Sequence, residues 1–208
     1  MYGTSKTVIR RIHDSRFATT YFRGDGIDIG AGKDPLSKYY QQFPLMTSLN
    51  AYDWEDGDSQ FMEGVPDNHF DFVHSSHCLE HVNDPLEAFT NWIRICKPGG
   101  HLIIMVPDED LYEQGVWPSN FNPDHKYSFT ILKKESWCPA SLNVLDFLYQ
   151  FRDKIEVLKI ELINGAHIYD EYRWDQTFHS ISESNIEIIV RKRTQTEIDR
   201  KGRLPTLI

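Results

Sequence analysis

The feature of the sequence that most constrains its fold is residues 26–32, which read Gly-Ile-Asp-Ile-Gly-Ala-Gly. Ile27 and Ile29 are β-branched and predict a short buried strand. Gly30 and Gly32 predict a tight turn, because glycine accepts a positive φ and has no Cβ that would block a ligand. A helix is expected to follow over residues 33–43. A strand, a glycine turn and a helix in this order present free backbone N–H groups to a ligand.

The same stretch lacks one part of a dinucleotide site. The fingerprint G-x-G-x-x-G uses its third glycine for close packing of helix on strand, whereas Gly32 is followed by Lys33, Asp34 and Pro35. The carboxylate of Asp28, near the end of the strand, would repel an anionic pyrophosphate. The turn therefore suits a cationic or hydrogen-bond-donating ligand, and the missing third glycine disfavours a nicotinamide-dependent dehydrogenase.

Composition narrows the class of protein. A chain of 208 residues is most simply one domain. Its net charge of −9 argues against general binding of nucleic acid or anionic membranes. Cys78, Cys96 and Cys138 are far apart and predict reduced thiols. No apolar run approaches membrane-spanning length, so we expect a cytoplasmic protein without membrane contact.

Strands alternate with helices along the chain, which predicts an α/β fold with a mainly parallel sheet. Further strands are expected at residues 45–52, 59–62, 70–75, 101–106, 155–163 and 186–190, and helices at 84–96 and 136–151. The expected organisation is one domain over residues 1–193, with insertions at about 107–135 and 165–184 and a polar tail at 194–208. Ligands of such sheets bind beyond the carboxyl ends of the strands. This rule brings Gly30, Asp53, residues 75–77 and residues 107–110 to one crevice.

An ordered set of four segments resembles the class I S-adenosylmethionine-dependent methyltransferases, in particular a small bacterial branch that methylates glycans and natural products. The segments are residues 26–32 (GIDIGAG), 66–73 (PDNHFDFV), 76–82 (SHCLEHV) and 97–102 (KPGGHL). The resemblance implies a Rossmann-like three-layer sandwich with a mostly parallel seven-stranded sheet whose last strand is antiparallel. It also implies S-adenosylmethionine as cofactor.

The resemblance further implies where the cofactor lies. Its methionine part would contact the turn, and Asp28 would orient its amino-acid end through water or backbone groups. Asp53 would bind the ribose hydroxyls, although the nearby Asp58 is an alternative because the two acids are unusually close in the sequence. The complete set of predicted cofactor residues is Asp28, Gly30, Ala31, Gly32, Asp53, Asp58, Ser59, Gln60 and Ser76.

Methyl transfer from a sulfonium is an in-line displacement that depends mainly on alignment. An oxygen or nitrogen acceptor can require a general base, for which the candidates are His77, Asp108 and His125. The two insertions would form the acceptor pocket. Their aromatic residues could stack on the acceptor or close the core under the loops; these are Tyr112, Trp117, Tyr127, Tyr172 and Trp174.

Two other functions compete with this interpretation. His77, Glu80 and His81 match the H-x-x-E-H pattern of inverted zinc peptidases, but residues 83–85 (Asn-Asp-Pro) interrupt the helix such a site needs, and no metal is expected. The chain could also be a non-catalytic subunit that keeps the methyltransferase fold for a partner. We expect an enzyme that acts on a small molecule or saccharide, without nucleic acid, and a homo-oligomer is compatible with the sequence.

Overall fold

The computed structural model describes residues 3–203. Within these residues one sheet contains six strands: β1 (Gly24–Ile29), β2 (Met46–Tyr52), β3 (Phe70–Ser76), β4 (Cys96–Pro107), β7 (Ile155–Ile163) and β8 (Asn185–Lys192). Their order across the sheet is β2-β1-β3-β4-β8-β7. Strands β2, β1, β3 and β4 are parallel, and β8 is antiparallel to both β4 and β7. The α/β class and the antiparallel last strand are confirmed.

Within residues 3–203 the sheet has six strands and not the predicted seven, because residues 59–61 form a turn and residue 62 has no regular structure. Their backbone carbonyls are engaged by side chains of the following helix: Trp92 Nε1 donates to the Ser59 carbonyl at 2.8 Å and Asn91 Nδ2 to the Gln60 carbonyl at 3.0 Å. Acceptors used in this way are not available to a neighbouring strand. The shortened connection after β2 therefore ends against a helix and adds no edge strand.

Helices cover both faces of the sheet, which makes three layers. The helices are α1 (Gly3–Arg11), α2 (Pro85–Ile95), α3 (Val144–Tyr149) and α4 (Gln195–Asp199). On one face Phe89 and Trp92 of α2 pack in the main core with Ile104. On the other face Val8 of α1 belongs to a second core that contains Phe72 and Ile103. Apolar burial on two faces explains why β4 has a continuous apolar run at residues 102–106.

Two predicted helices are shorter than expected. Residues 33–43 contain a 3-10 helix at Leu36–Gln42, which begins after Pro35. Residues 136–151 begin with a short strand, β6 (Ser141–Asn143), which pairs with β5 (Ser128–Thr130), and only then enter α3. Asn143 caps α3 by accepting hydrogen bonds from two backbone N–H groups, which fixes the start of that helix.

The first residues of the predicted tail also have regular structure. Helix α4 begins after Thr194, whose hydroxyl and the Glu197 carboxylate form a reciprocal capping box. Residues 204–208 of the tail lie outside the described residues. Along residues 3–203, no helix combines the length and the apolar character needed to span a bilayer.

Candidate functional site

The glycine turn after β1 has the conformation that its sequence predicts. Gly30 has φ of +72° and Gly32 has φ of +52°, which is the left-handed region that favours glycine. The N–H groups of Gly30 and Ala31 donate to the Tyr52 carbonyl, and Gly32 N–H donates to Asp53 Oδ2 at 3.0 Å. The end of β2 therefore holds the turn, and the Asp53 carboxylate lies directly beside it.

A cleft of about 570 Å³, here the glycine cleft, opens beside this turn. Its size is within the range of pockets that hold a cofactor-sized ligand. The carboxylates of Asp53 and Asp58 lie on its wall, so the cleft favours a cation over a pyrophosphate. It is lined by Gly30, Tyr52, Asp53, Trp54, Gly57, Asp58, Ser59, His77, Cys78 and His81.

Asp28 is buried and supports the turn from behind. It accepts a hydrogen bond from Leu36 N–H at 2.7 Å and one from His74 Nδ1 at 2.6 Å. Arg11 donates to His74 Nε2 at 3.0 Å and is itself paired with the buried Glu187. Because a carboxylate accepts from Nδ1 and a guanidinium donates to Nε2, His74 carries its proton on Nδ1. This chain of contacts ties the glycine turn to α1 and β8.

The other predicted cofactor residues have different positions. Ser59 lies on the wall of the glycine cleft. Gln60 is buried, and its side chain bonds the backbone N–H groups of Asn83 and Asp84, so it joins the start of α2 to the loop after β2. The hydroxyl of Ser76 lies close to Gly3 of α1. Gln60 and Ser76 are not among the residues that line the glycine cleft.

A second cleft of about 460 Å³, here the loop cleft, lies under the two predicted insertions. His77 lines both clefts. Of the five predicted aromatic residues, Tyr112 lines the loop cleft, whereas Tyr127 packs against the main core and Tyr172 is 97% exposed. The loop cleft is lined by Gly3, Lys6, His77, Tyr112, Asn122, His125, Thr177, Phe178, Ser182 and Asn185.

His77 directly follows β3 and has φ of +58°. Its Nδ1 donates to Oε1 of the fully buried Glu80 at 3.0 Å, which leaves Nε2 as the basic nitrogen. Burial alone would raise the pKa of Glu80, but the His77 hydrogen bond and the nearby imidazoles hold it below its usual value. Glu80 is therefore an ionised carboxylate that orients His77.

The two other predicted bases differ in surroundings. His125 is buried on the wall of the loop cleft, and its Nδ1 donates to the buried Glu113 at 2.8 Å. Asp108 accepts hydrogen bonds from the N–H groups of Asp110 and Leu111 and so begins a short π-helical turn at Glu109–Glu113. Burial raises the pKa of Asp108 to about 6. Asp108 lines neither cleft.

Sequence reasoning did not assign Glu80 and Glu113 the roles that they have here. Glu80 was named only within the zinc pattern and within the segment 76–82, and Glu113 was not singled out. The H-x-x-E-H segment is not helical, since residues 77–83 form turns and bends and α2 begins at Pro85. The only sequence signal for the His77–Glu80 contact was their separation of three residues, which suits a turn as well as a helix.

A family model described as "Methyltransferase domain" matches residues 6–147. This match covers more than half of the chain, and the chain therefore belongs to the methyltransferase-domain family. Its fold is that of the class I S-adenosylmethionine-dependent methyltransferases, and the resemblance of its motifs to this family is confirmed.

Individual proteins agree with the fold. A ubiquinone/menaquinone biosynthesis C-methyltransferase, UbiE, from Psychromonas ingrahamii is 38% identical over 69 residues, 33% of this chain. The chain spans only 26% of that relative's length. A SAM-dependent methyltransferase from Archaeoglobus fulgidus superposes with a TM-score of 0.57 at 16% identity, over 89% of this chain and 94% of the other. The plantazolicin methyltransferase BpumL, solved in complex with SAH, has a TM-score of 0.54 at 15% identity over 92% and 85% of the two chains.

Proposed function

We propose that the protein transfers the methyl group of S-adenosylmethionine to an oxygen, or a nitrogen, of a small molecule or saccharide held in the loop cleft. The observation that carries this proposal is the position of His77, which lines the glycine cleft and the loop cleft together. A group at this boundary can reach an acceptor atom that faces a cofactor methyl.

The glycine cleft suits the cofactor chemically. The sulfonium and the ammonium group of S-adenosylmethionine are cationic, and Asp53 and Asp58 make the wall acidic. Asp53 accepts hydrogen bonds from the N–H groups of Gly32 and Trp54 and keeps unused lone pairs on both oxygens, so it can also accept hydrogen bonds from ribose hydroxyls. Asp28 would act on the cofactor indirectly, because its carboxylate is engaged with Leu36 and His74.

The loop cleft suits a hydroxylated acceptor. Its wall combines the amide side chains of Asn122 and Asn185 with the aromatic rings of Tyr112 and Phe178. Amides recognise hydroxyl groups by hydrogen bonds, and rings pack against the apolar face of a sugar or another ring. Lys6 closes one side and is held by the Ser182 carbonyl at 3.0 Å.

The proposed step needs one proton acceptor. The acceptor oxygen forms a bond to the methyl carbon while the carbon–sulfur bond breaks and leaves its electron pair on sulfur. S-adenosylmethionine supplies an activated methyl group and no base. The hydroxyl proton moves to His77 Nε2, and Glu80 stabilises the imidazolium that results. His125 and Asp108 stay as alternative bases, with His125 the better placed because it lines the same cleft.

The test is methyl transfer from labelled S-adenosylmethionine to a panel of free sugars, glycosides and small phenols. We expect His77→Gln to lower kcat by roughly 100-fold or more with little change in the affinity for S-adenosylhomocysteine. His13→Gln is the matched control, because His13 is exposed and lies outside both clefts. Unchanged turnover in His77→Gln would refute the role of His77. Labelled product only in a protein or RNA fraction would refute the acceptor class.

A further inference from the structure

Glu80, His81 and His125 converge at the boundary between the two clefts. Each offers one ligand atom, and these atoms lie within 4.8 Å of one another. Glu80 and His81 come from the turn after β3, and His125 comes from the long loop after β4. His81 lines the glycine cleft and His125 lines the loop cleft, so a ligand held by both lies between the two.

The carboxylate at the centre of this cluster has an unused oxygen. Glu80 is fully buried, and its Oε1 is occupied by His77. Its Oε2 is buried and has no hydrogen-bond partner. A buried carboxylate oxygen without a hydrogen-bond donor is costly, and such groups are normally paired or coordinate a metal.

The two imidazoles are oriented as metal ligands commonly are. His125 Nδ1 donates to Glu113 Oε1 at 2.8 Å, and His81 Nδ1 donates to the Asp124 carbonyl at 3.1 Å. Both histidines therefore carry a proton on Nδ1 and keep the lone pair of Nε2 for another partner. Metal-bound histidines show the same arrangement, in which the second nitrogen donates to a carboxylate or a backbone carbonyl.

We propose that Glu80, His81 and His125 bind one divalent transition-metal ion. Two imidazoles and one carboxylate are donors that suit zinc and its first-row neighbours better than magnesium or calcium. No metal is expected from the sequence, because the H-x-x-E-H pattern predicts a zinc site only on a helix. The third ligand is instead His125, which lies 44 positions beyond His81 and is brought in by the loop.

The position of the ion also indicates a role in binding the methyl acceptor, and this role rests on the proposed function. Three protein ligands leave coordination positions for water or substrate. An acceptor hydroxyl bound there would lose its proton more easily and would be fixed beside His77, which shares Glu80 with the ion. The ion would thus orient the acceptor at the boundary that a cofactor methyl reaches.

The site can be tested by metal binding without any activity assay. Chelator-treated protein is titrated with Co²⁺ while visible absorption is recorded, and with Zn²⁺ in a calorimeter. We expect about one ion per chain and a loss of affinity of roughly 100-fold or more in His81→Ala and Glu80→Gln. Glu113→Gln should weaken binding by roughly 10- to 100-fold through the orientation of His125. His13→Ala, at an exposed histidine, should bind as the unchanged protein does.

Two results would overturn the proposal. One is no saturable binding of Co²⁺ or Zn²⁺ by the unchanged protein, and the other is equal affinity in His81→Ala. His81 is partly exposed, so its substitution is expected to leave the fold intact, which circular dichroism checks. Binding of S-adenosylhomocysteine is measured on the same samples. If the protein binds S-adenosylhomocysteine but no metal ion, the metal site is refuted and the proposed methyl transfer is not. If it binds the metal ion but no S-adenosylhomocysteine, the proposed function alone is refuted.

Discussion

The substitution Gly30→Ala tests the glycine turn most sharply. Gly30 has φ of +72°, and a Cβ added there would lie 2.7 Å from Cys78 Cβ and 3.0 Å from Cys78 Sγ. Cys78 is buried, and its Cβ cannot rotate away. Gly32 is a matched control, because its φ of +52° is equally left-handed but the nearest atom to its added Cβ is the Gly30 carbonyl oxygen at 3.8 Å.

The two substitutions share one cost and differ in another. A left-handed conformation costs alanine about 1–2 kcal/mol, which is partly offset by about 0.4–1 kcal/mol from the reduced entropy of the unfolded chain. Gly30→Ala alone adds the overlap with Cys78, and overpacking of this kind costs about 1–3 kcal/mol. The expected loss in the free energy of unfolding is therefore about 1 kcal/mol for Gly32→Ala, from the left-handed conformation alone. For Gly30→Ala it is about 2–4 kcal/mol, because the overlap with Cys78 is added.

Urea unfolding of both variants measures the difference in the free energy of unfolding. Adding Cys78→Gly to Gly30→Ala removes the overlapping atoms, so a double-mutant cycle should recover about 1–3 kcal/mol as coupling between the two positions. Equal destabilisation by Gly30→Ala and Gly32→Ala, together with no coupling, would refute the argument that Cys78 requires glycine at position 30.

Three further predictions concern binding and pH. Asp53→Ala should weaken binding of S-adenosylhomocysteine by roughly 10- to 100-fold, since it removes a charged acceptor and the bond to Gly32 N–H; an equal or larger loss in Asp58→Ala by calorimetry would instead assign the ribose to Asp58. Burial, and to a smaller extent the charge of Arg191, lower the pKa of His101 from 6.5 to about 4. As the pH drops, the unfolded chain therefore takes up this proton before the folded protein does, and the free energy of unfolding falls between about pH 6.5 and pH 4. His101→Phe should remove roughly 2–3 kcal/mol of this pH dependence. The free energy of unfolding is measured by chemical denaturation at several pH values, and an unchanged dependence on pH would contradict the prediction. Burial raises the pKa of Asp108 to about 6 from 3.8, which has the opposite sign: stability is lost as pH rises from about 4 to 6. Asp108→Asn keeps a capping side chain, and should be as stable as the unchanged protein or more so at pH 7; a lower midpoint of thermal unfolding would contradict this.

Much of the fold could be predicted because local patterns and tertiary packing agree. Residues 102–106 are apolar throughout, and this part of β4 is buried on both faces, as such a run requires. Asp84 and Pro85 mark the start of α2, and Asp84 does accept the first two free N–H groups of that helix. Residues 59–62 could not be judged in this way, since their carbonyls are taken by Trp92 and Asn91, which are distant in sequence.

The candidate site could be predicted best where it follows a strand directly. Gly30, Asp53 and His77 follow β1, β2 and β3, and all three line the glycine cleft. The functional residues that sequence reasoning missed depend on the long loop after β4. Glu113 meets His125 across twelve positions, and Glu80 meets His125 across 45, and no periodicity predicts such contacts.

We propose above that S-adenosylmethionine binds in the glycine cleft. Calorimetric titration of the purified protein with S-adenosylmethionine and S-adenosylhomocysteine, with NAD as the control ligand, tests it most directly. We predict saturable binding of the first two ligands and none of NAD, because Asp53 and Asp58 favour a cation and disfavour a pyrophosphate. Binding of NAD alone, or of none of the three by folded protein, would contradict the account.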